Sequence, residues 1–183
     1  MKKLAILCLM AIMTLGTYAA GTSDIDSTAN KLTIKVLPSK SLSCIPIQIC
    51  MTNAIPMTCI QCYITSPDGQ NTFLTAPDDS TSVLCSRTKR WDKDHTTIFK
   101  WNEHKHPDML MTMLVNTKSL NFADNDGPVV EIYFDGSKLT DGDYCIRMTD
   151  PTMVWTNRKD VKAYTCPNTQ ANFKIKKGKL VLK

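Results

Sequence analysis

Short segments in which apolar and polar residues alternate run through most of this 183-residue chain. Leu32, Ile34 and Val36 follow this two-residue period, and no segment shows a convincing helical period. Turn residues separate the segments, among them the Asp-Gly pairs at 126–127, 135–136 and 141–142, which tolerate positive φ. The pattern predicts an all-β sandwich or barrel. We expect nine short strands, near residues 32–36, 45–51, 58–65, 82–86, 96–101, 109–115, 129–134, 144–148 and 172–175.

The segment 109–115 is the most ambiguous of the nine because it is apolar on both faces. Its sequence, Met-Leu-Met-Thr-Met-Leu-Val, would also suit a short helix. We favour a central strand, because the stretch is only seven residues long and Pro107 precedes it.

The first residues have the features of an export signal. Lys2 and Lys3 precede an apolar run over residues 4–15, and the small residues Ala19 and Ala20 follow it. The run is too short for a transmembrane anchor, and we expect no membrane span elsewhere. The sequence therefore predicts a cleaved signal peptide over 1–19, a flexible leader over 20–30 and one domain over 31–183. The mature protein would be secreted, periplasmic or associated with the cell surface.

Charge and cysteine content narrow the function. The net charge is +5, which becomes +3 without Lys2 and Lys3, and the basic residues are dispersed, so we expect no nucleic-acid partner. Seven of the eight cysteines lie beyond the signal peptide, and export would permit disulfides, although an odd number leaves at least one thiol unpaired. Cys59 and Cys62 should lie on opposite faces of a strand and so should not pair with each other.

Several motifs occur in an order that is typical of one known class of domain. An early Leu-x-Ile-x-Val strand is followed by a strand ending in Thr52-Asn53 and by residues 60–69, Ile-Gln-Cys-Tyr-Ile-Thr-Ser-Pro-Asp-Gly. The later matches are Arg87 and Arg90, which precede a connecting segment, and then the segments 110–116, 124–132 and 141–144. In this order the motifs resemble those of cohesin-like domains that bacteria export, and the resemblance covers most of residues 31–176. It implies a jelly-roll sandwich of nine strands, a scaffold shared by dockerin-binding cohesins and several carbohydrate-binding modules.

Two tryptophans are the main ligand-binding candidates. Trp91 and Trp155 lie among polar residues, which predicts exposed rings that could stack on a sugar. Arg90 and Arg158, close to them in sequence, complete this set of candidates. Trp101 is a third aromatic candidate, but it continues the alternation of Ile98, Phe99 and Lys100, which would also suit a core position.

Candidates for metal or cysteine chemistry are weaker. His104 and His106 would share a face of an extended segment and could take up a divalent ion, although their surroundings favour a polar surface loop. The Cys59-x-x-Cys62 pair has redox spacing but lies within a strand rather than at a helix start. Residues 124–127 do not fit an EF-hand loop, yet a structural calcium remains an open alternative. We expect no other cofactor.

These observations favour an exported, non-catalytic binding module. Its ligand would be a glycan or another exported protein, engaged by the sandwich surface or its loops. One alternative is a structural or adhesive subunit that associates through strand edges. The other is an enzyme that depends on cysteine or a metal.

Overall fold

A computed structural model describes residues 29–91, 94–103, 106–116, 118, 120–156 and 160–183. Within these residues the chain forms thirteen β-strands and no helix, so no helix there could cross a membrane. The predicted signal peptide and all of the predicted leader before Ala29 lie outside the described residues. The strands are β1 (Asn30–Val36), β2 (Ile45–Asn53), β3 (Cys59–Thr65), β4 (Thr75–Ala76), β5 (Asp79–Val83), β6 (Cys85–Arg87), β7 (His95–Glu103), β8 (His106–Asn116), β9 (Pro128–Phe134), β10 (Gly142–Thr156), β11 (Val161–Thr165), β12 (Thr169–Lys176) and β13 (Lys179–Leu182).

Two antiparallel sheets form the body of the fold. The smaller sheet has the order β1-β2-β9-β6, and the larger has the order β13-β12-β10-β3-β8-β7, with β11 paired to the second half of β10. A small hairpin of β4 and β5 stands apart. Strands distant in sequence are therefore neighbours, as in the pairing of Ile60 with both Leu114 and Met153.

The core fills the space between the two sheets because every second residue of their strands points inward. In β1 the residues alternate strictly between buried and more accessible positions, with Leu32, Ile34 and Val36 buried. Phe134 from the smaller sheet meets Phe173 from the larger one, with ring centroids 6.0 Å apart. The predicted all-β sandwich is thus confirmed. Other core residues include Ile47, Ile49 and Ile132 of the smaller sheet and Ile60, Ile64 and Ile146 of the larger.

The structure has four more strands than the nine expected. The segment 82–86 divides into β5 and β6, and the sequence pattern did not reveal β4, β11 or β13. These are short strands of two to five residues, and lysines in β11 and β13 weaken the apolar signal.

The ambiguous segment 109–115 is a strand, as favoured, and forms most of β8. It is apolar on both faces because both faces are covered. Leu110 and Leu114 belong to the core between the sheets, whereas Met113 and Val115 belong to a second apolar cluster on the opposite face.

Candidate interaction surface

The outer face of the larger sheet carries its own apolar cluster, which we call the outer cluster: Cys59, Met113, Val115 and Val154. The strand register places Cys59 directly opposite both Val115 and Val154. These four side chains are at most 3% exposed. The half-buried side chains of Ile98 and Ala163 pack against them from the flanking strands β7 and β11.

An aromatic contact extends this apolar zone along β3. Tyr63 pairs with Met111 of β8, and the ring of His106 stacks on Tyr63 at a centroid distance of 3.7 Å. The Nε2 atom of His106 lies 3.1 Å from a carboxylate oxygen of Asp150. The exposed side chains of Lys100 and Arg147 come from positions on the same face. The outer face thus has an apolar centre and a polar, charged margin.

A cleft of about 400 Å³ opens at one end of this face. It lies where the turn after β3 meets the start of β8 and the first half of β10. Its lining is mainly polar and includes Thr65, Ser66, Asp108, Cys145 and Arg147.

The outer face of the smaller sheet is polar by contrast. A carboxylate oxygen of Glu131 accepts a hydrogen bond from the Gln48 amide at 3.0 Å, and the other accepts one from the Tyr133 hydroxyl at 2.6 Å. The Tyr133 hydroxyl also lies 2.7 Å from that of Ser86. The polar groups of these side chains are thus hydrogen-bonded to one another across β2, β9 and β6. The pKa of Tyr133 is raised, and burial is the main cause.

The structure places Arg90 inside the molecule, at 2% exposure, so this candidate is not presented to a ligand. Its guanidinium donates to oxygens of the strand β2 and of the loop before β9, and burial lowers its pKa although Asp126 and Asp124 oppose the shift. The contacts explain the burial, because a guanidinium has five donors that must be satisfied when water is excluded. The acceptors are the backbone carbonyls of Met51, Ala123 (2.7 Å), Asp124 (2.9 Å) and Gly127 (3.3 Å) and the side-chain oxygen of Asn53 (2.6 Å).

The expectation of exposed tryptophans is wrong for Trp91, which is 7% exposed. Its indole N–H donates to the carbonyl of His95 at 2.9 Å, and the Arg87 guanidinium lies 5.5 Å from its ring centroid. Trp155 is half-buried against the core, with the Lys162 ammonium 5.9 Å from its ring. Trp101 also packs against the core. The described tryptophans therefore form no open stacking platform, and Arg158 lies outside the described residues.

The cysteine pair with redox spacing is divided between two environments. Cys62 belongs to the core between the sheets, whereas Cys59 belongs to the outer cluster, so the prediction of opposite faces is confirmed. Burial raises the pKa of Cys62 to about 12, which disfavours the reactive thiolate. Burial likewise raises the pKa of Cys50, Cys85 and Cys166. The thiols of Cys44, Cys50, Cys62, Cys85, Cys145 and Cys166 are free.

The metal candidates gain no support from the geometry. Among the described residues no group of three or more histidine, cysteine or acidic side chains converges on a point. His106 contacts Tyr63 and Asp150, as described above, and His104 lies outside the described residues. In the loop considered for calcium, Asp126 accepts a hydrogen bond from the Thr52 hydroxyl at 2.6 Å, and that contact is the main cause that lowers its pKa. The loop carbonyls of Ala123, Asp124 and Gly127 are already occupied by Arg90.

Comparison with known proteins identifies the fold. No family model matches the chain, and no curated protein matches it. Among solved structures it is similar to the sixth cohesin of scaffoldin B from Acetivibrio cellulolyticus, solved in complex with a Cel5 dockerin mutant, at a TM-score of 0.52 and 10% identity over 78% of this chain and 96% of that one. It is also similar to the CaDoc0917–CaCohA2 complex, at a TM-score of 0.51 and 14% identity over 76% of this chain and 97% of that one.

A third similar structure is a type II cohesin domain from the cellulosome of Acetivibrio cellulolyticus. It matches at a TM-score of 0.51 and 12% identity, over 75% of this chain and 91% of that one. The expected cohesin-like β-sandwich is therefore confirmed as a fold.

Proposed function

We propose that this domain is a non-catalytic module that binds another protein through the outer face of its larger sheet. The observation that carries the proposal is the apolar surface on that face: the half-buried side chains of Ile98 and Ala163 pack against the buried outer cluster, and they are the apolar groups that a partner would contact. Protein interfaces have an apolar core surrounded by a polar rim, and Lys100 and Arg147 stand at the margin here. On the outer face of the smaller sheet, polar side chains hydrogen-bond to one another instead, so one outer face is partly apolar and the other is polar.

The structural neighbours support a protein partner. Two of the similar structures are complexes in which a cohesin domain is bound to a dockerin. This chain shares their fold, and we place its own partner on the outer face of the larger sheet. The export signal predicted over residues 1–19 suggests that this partner is also an exported protein.

A glycan ligand is the weaker form of the proposal. Trp91 is buried and Trp155 is half-buried against the core, so neither ring is freely available for stacking on a sugar. Trp155 is the more exposed of the two tryptophans and is therefore the residue to test.

Site-specific photo-crosslinking tests the proposed face. A photoreactive amino acid replaces Ile98 at the edge of the outer cluster, and in a matched variant it replaces Lys35 on the outer face of the smaller sheet. Incubation of each mature variant with the exported proteins of its source should give a discrete crosslinked product from position 98 only. Equal products from both positions, or a product from position 35 only, would overturn the assignment of this face.

A glycan-array and polysaccharide-retention screen of the mature chain runs in parallel with a Trp155→Ala variant. We expect no retention by either protein. Retention that is lost in Trp155→Ala would replace the protein partner with a glycan and would place its site at Trp155.

A further inference from the structure

The strand β13 forms one end of the larger sheet. It pairs with β12 on one side, and in the part of the chain that the structure describes no strand pairs with its other side. An open edge presents backbone N–H and C=O groups that can pair with an additional strand. The β13 edge is therefore a surface at which a strand can be added, and it is separate from the outer cluster.

The turn before β13 holds the strand in a fixed position. Lys177 and Gly178 both have positive φ, 52° and 66°, which is the geometry of the type I′ hairpin turn. The carboxylate of Asp141 accepts hydrogen bonds from the backbone N–H groups of both residues, at 2.8 and 3.2 Å. These two bonds are the main causes that lower the pKa of Asp141. The edge is thus ordered before any partner arrives.

The register shows which backbone groups point outward. A two-residue turn places Lys176 and Lys179 in a hydrogen-bonded pair, and hydrogen-bonded and non-hydrogen-bonded pairs then alternate along an antiparallel ladder. Val181, opposite Lys174, therefore bonds to β12. The backbone groups of Leu180 and Leu182 point away from β12, toward the open side.

The side chains of β13 differ between its two faces. Leu180 and Leu182 lie opposite the core residues Ile175 and Phe173, yet Leu182 is still 38% exposed. Val181, at 42% exposure, lies on the outer face together with Lys179 and Lys183, because side chains alternate along a strand. An added strand would meet an apolar row on one face and a basic row on the other.

The charge of the hairpin selects the partner. Five lysines lie at positions 174, 176, 177, 179 and 183, against two aspartates at 141 and 143. Asp143 pairs with Lys183 at 2.7 Å and with Lys174 at 3.8 Å, so the net charge of this edge remains positive. A second copy of β13 would bring like charges together across the new ladder, which is destabilising.

We propose that the β13 edge binds an extended partner segment in which acidic and apolar residues alternate, and that this segment is added to the larger sheet as a further strand. The outward backbone groups of Leu180 and Leu182 pair with the segment. Its acidic side chains lie beside Lys179 and Lys183, and its apolar side chains lie beside Leu182. This inference concerns a different edge from the proposed interaction face, and either can fail without the other.

Amide hydrogen exchange on the mature domain tests the proposal directly. The probe is an end-capped heptapeptide that alternates glutamate with valine, and the control peptide has lysine in place of glutamate. We expect the glutamate peptide to protect the amides of Leu180 and Leu182, while the amide of Val181 is protected with or without it. Protection should weaken as salt is raised, because exposed ion pairs are screened. Absence of protection by the glutamate peptide, or equal protection by the lysine peptide, would overturn the proposal.

Two variants separate backbone pairing from charge. Leu182→Pro removes one outward donor without touching the bonds between β12 and β13, and proline is tolerated on an open strand edge. We expect this variant to keep the unfolding transition of the parent and to bind the glutamate peptide about tenfold more weakly. Lys179→Glu keeps the backbone edge and should reverse the preference between the two peptides. Unchanged peptide affinity in both variants would contradict strand addition at β13.

Discussion

Arg90 shows how one charged side chain organises a loop from inside the molecule. Its guanidinium gathers four backbone carbonyls and one side-chain oxygen from two separate segments. A converging set of oxygens commonly surrounds a cation, and here the protein supplies the cation from its own chain. The loop before β9 is thereby tied to the end of β2.

Replacement of Arg90 by lysine should destabilise the domain by at least about 2 kcal/mol, because hydrogen bonds to a buried charged group are strong and an ammonium cannot reproduce the planar fork of donors. Urea unfolding followed by tryptophan fluorescence measures the change. The neighbouring Lys89 is exposed, and Lys89→Ala should alter the free energy of unfolding by less than about 0.5 kcal/mol. Equal stability of the two variants would show that the Arg90 contacts contribute little.

The burial of Arg90 and Trp91 was not predictable from their sequence context. Both residues lie in a polar stretch, and the sequence predicted exposure for Trp91 and ligand contact for both. Arg90 is buried by contacts with residues 33 to 39 positions away, and Trp91 joins a core cluster that is drawn from both sheets. Local composition carries no information about such contacts. Trp101, by contrast, belongs to a regular strand, and its packing against the core suits that pattern.

At the scale of single elements, β8 carries a polar residue in an otherwise apolar position. Thr112 pairs with Cys62 and lies between Leu110 and Leu114 on the core face. Within the described residues its buried hydroxyl oxygen has no hydrogen-bond partner. A buried polar group without a partner lowers stability.

The variant Thr112→Val should therefore stabilise the domain by about 1 kcal/mol, because valine has nearly the same shape and no polar group to satisfy. Thr58→Val is the matched control, since the Thr58 side chain is equally buried but its hydroxyl donates to the carbonyl of Val154 at 2.9 Å. That change should destabilise the domain by a similar amount. Thermal unfolding of both variants measures the two shifts, and a lower midpoint for Thr112→Val would contradict the prediction.

The elements that could be predicted from the sequence are those that bury one or both faces in the core. Alternation predicted β1 and β2, and the apolar run of β8 predicted a central strand, whose two faces are both covered in the structure. The strands β11 and β13 lie at sheet edges and carry exposed lysines, so their apolar period is interrupted. The outer cluster was also missed, because it joins residues from three strands whose register is set only in the folded sheet.

The molecule as a whole combines a sandwich core with several buried free thiols. The sequence left disulfides open, and connectivity could not be worked out from cysteine spacing. In the structure the free thiols are distributed over both sheets, and Cys62 lies fully buried in the core. The pairing of strands and the burial of apolar side chains hold this fold together, with no contribution from a bridge between these six thiols.

The buried thiols make the whole domain sensitive to alkaline pH. The pKa of Cys62 rises from 9.0 to about 12 in the folded state, so above pH 9 the unfolded chain loses this proton before the folded domain does. The stabilising contribution is complete below pH 9 and is lost as the pH rises toward 12, at up to about 1.4 kcal/mol per pH unit for one such thiol. Urea unfolding between pH 8 and 10.5 should show stability that falls with pH, and Cys62→Ala should show a shallower fall. The two curves should be the same with and without reductant, whereas parallel slopes for the parent and Cys62→Ala would contradict the assignment to this thiol.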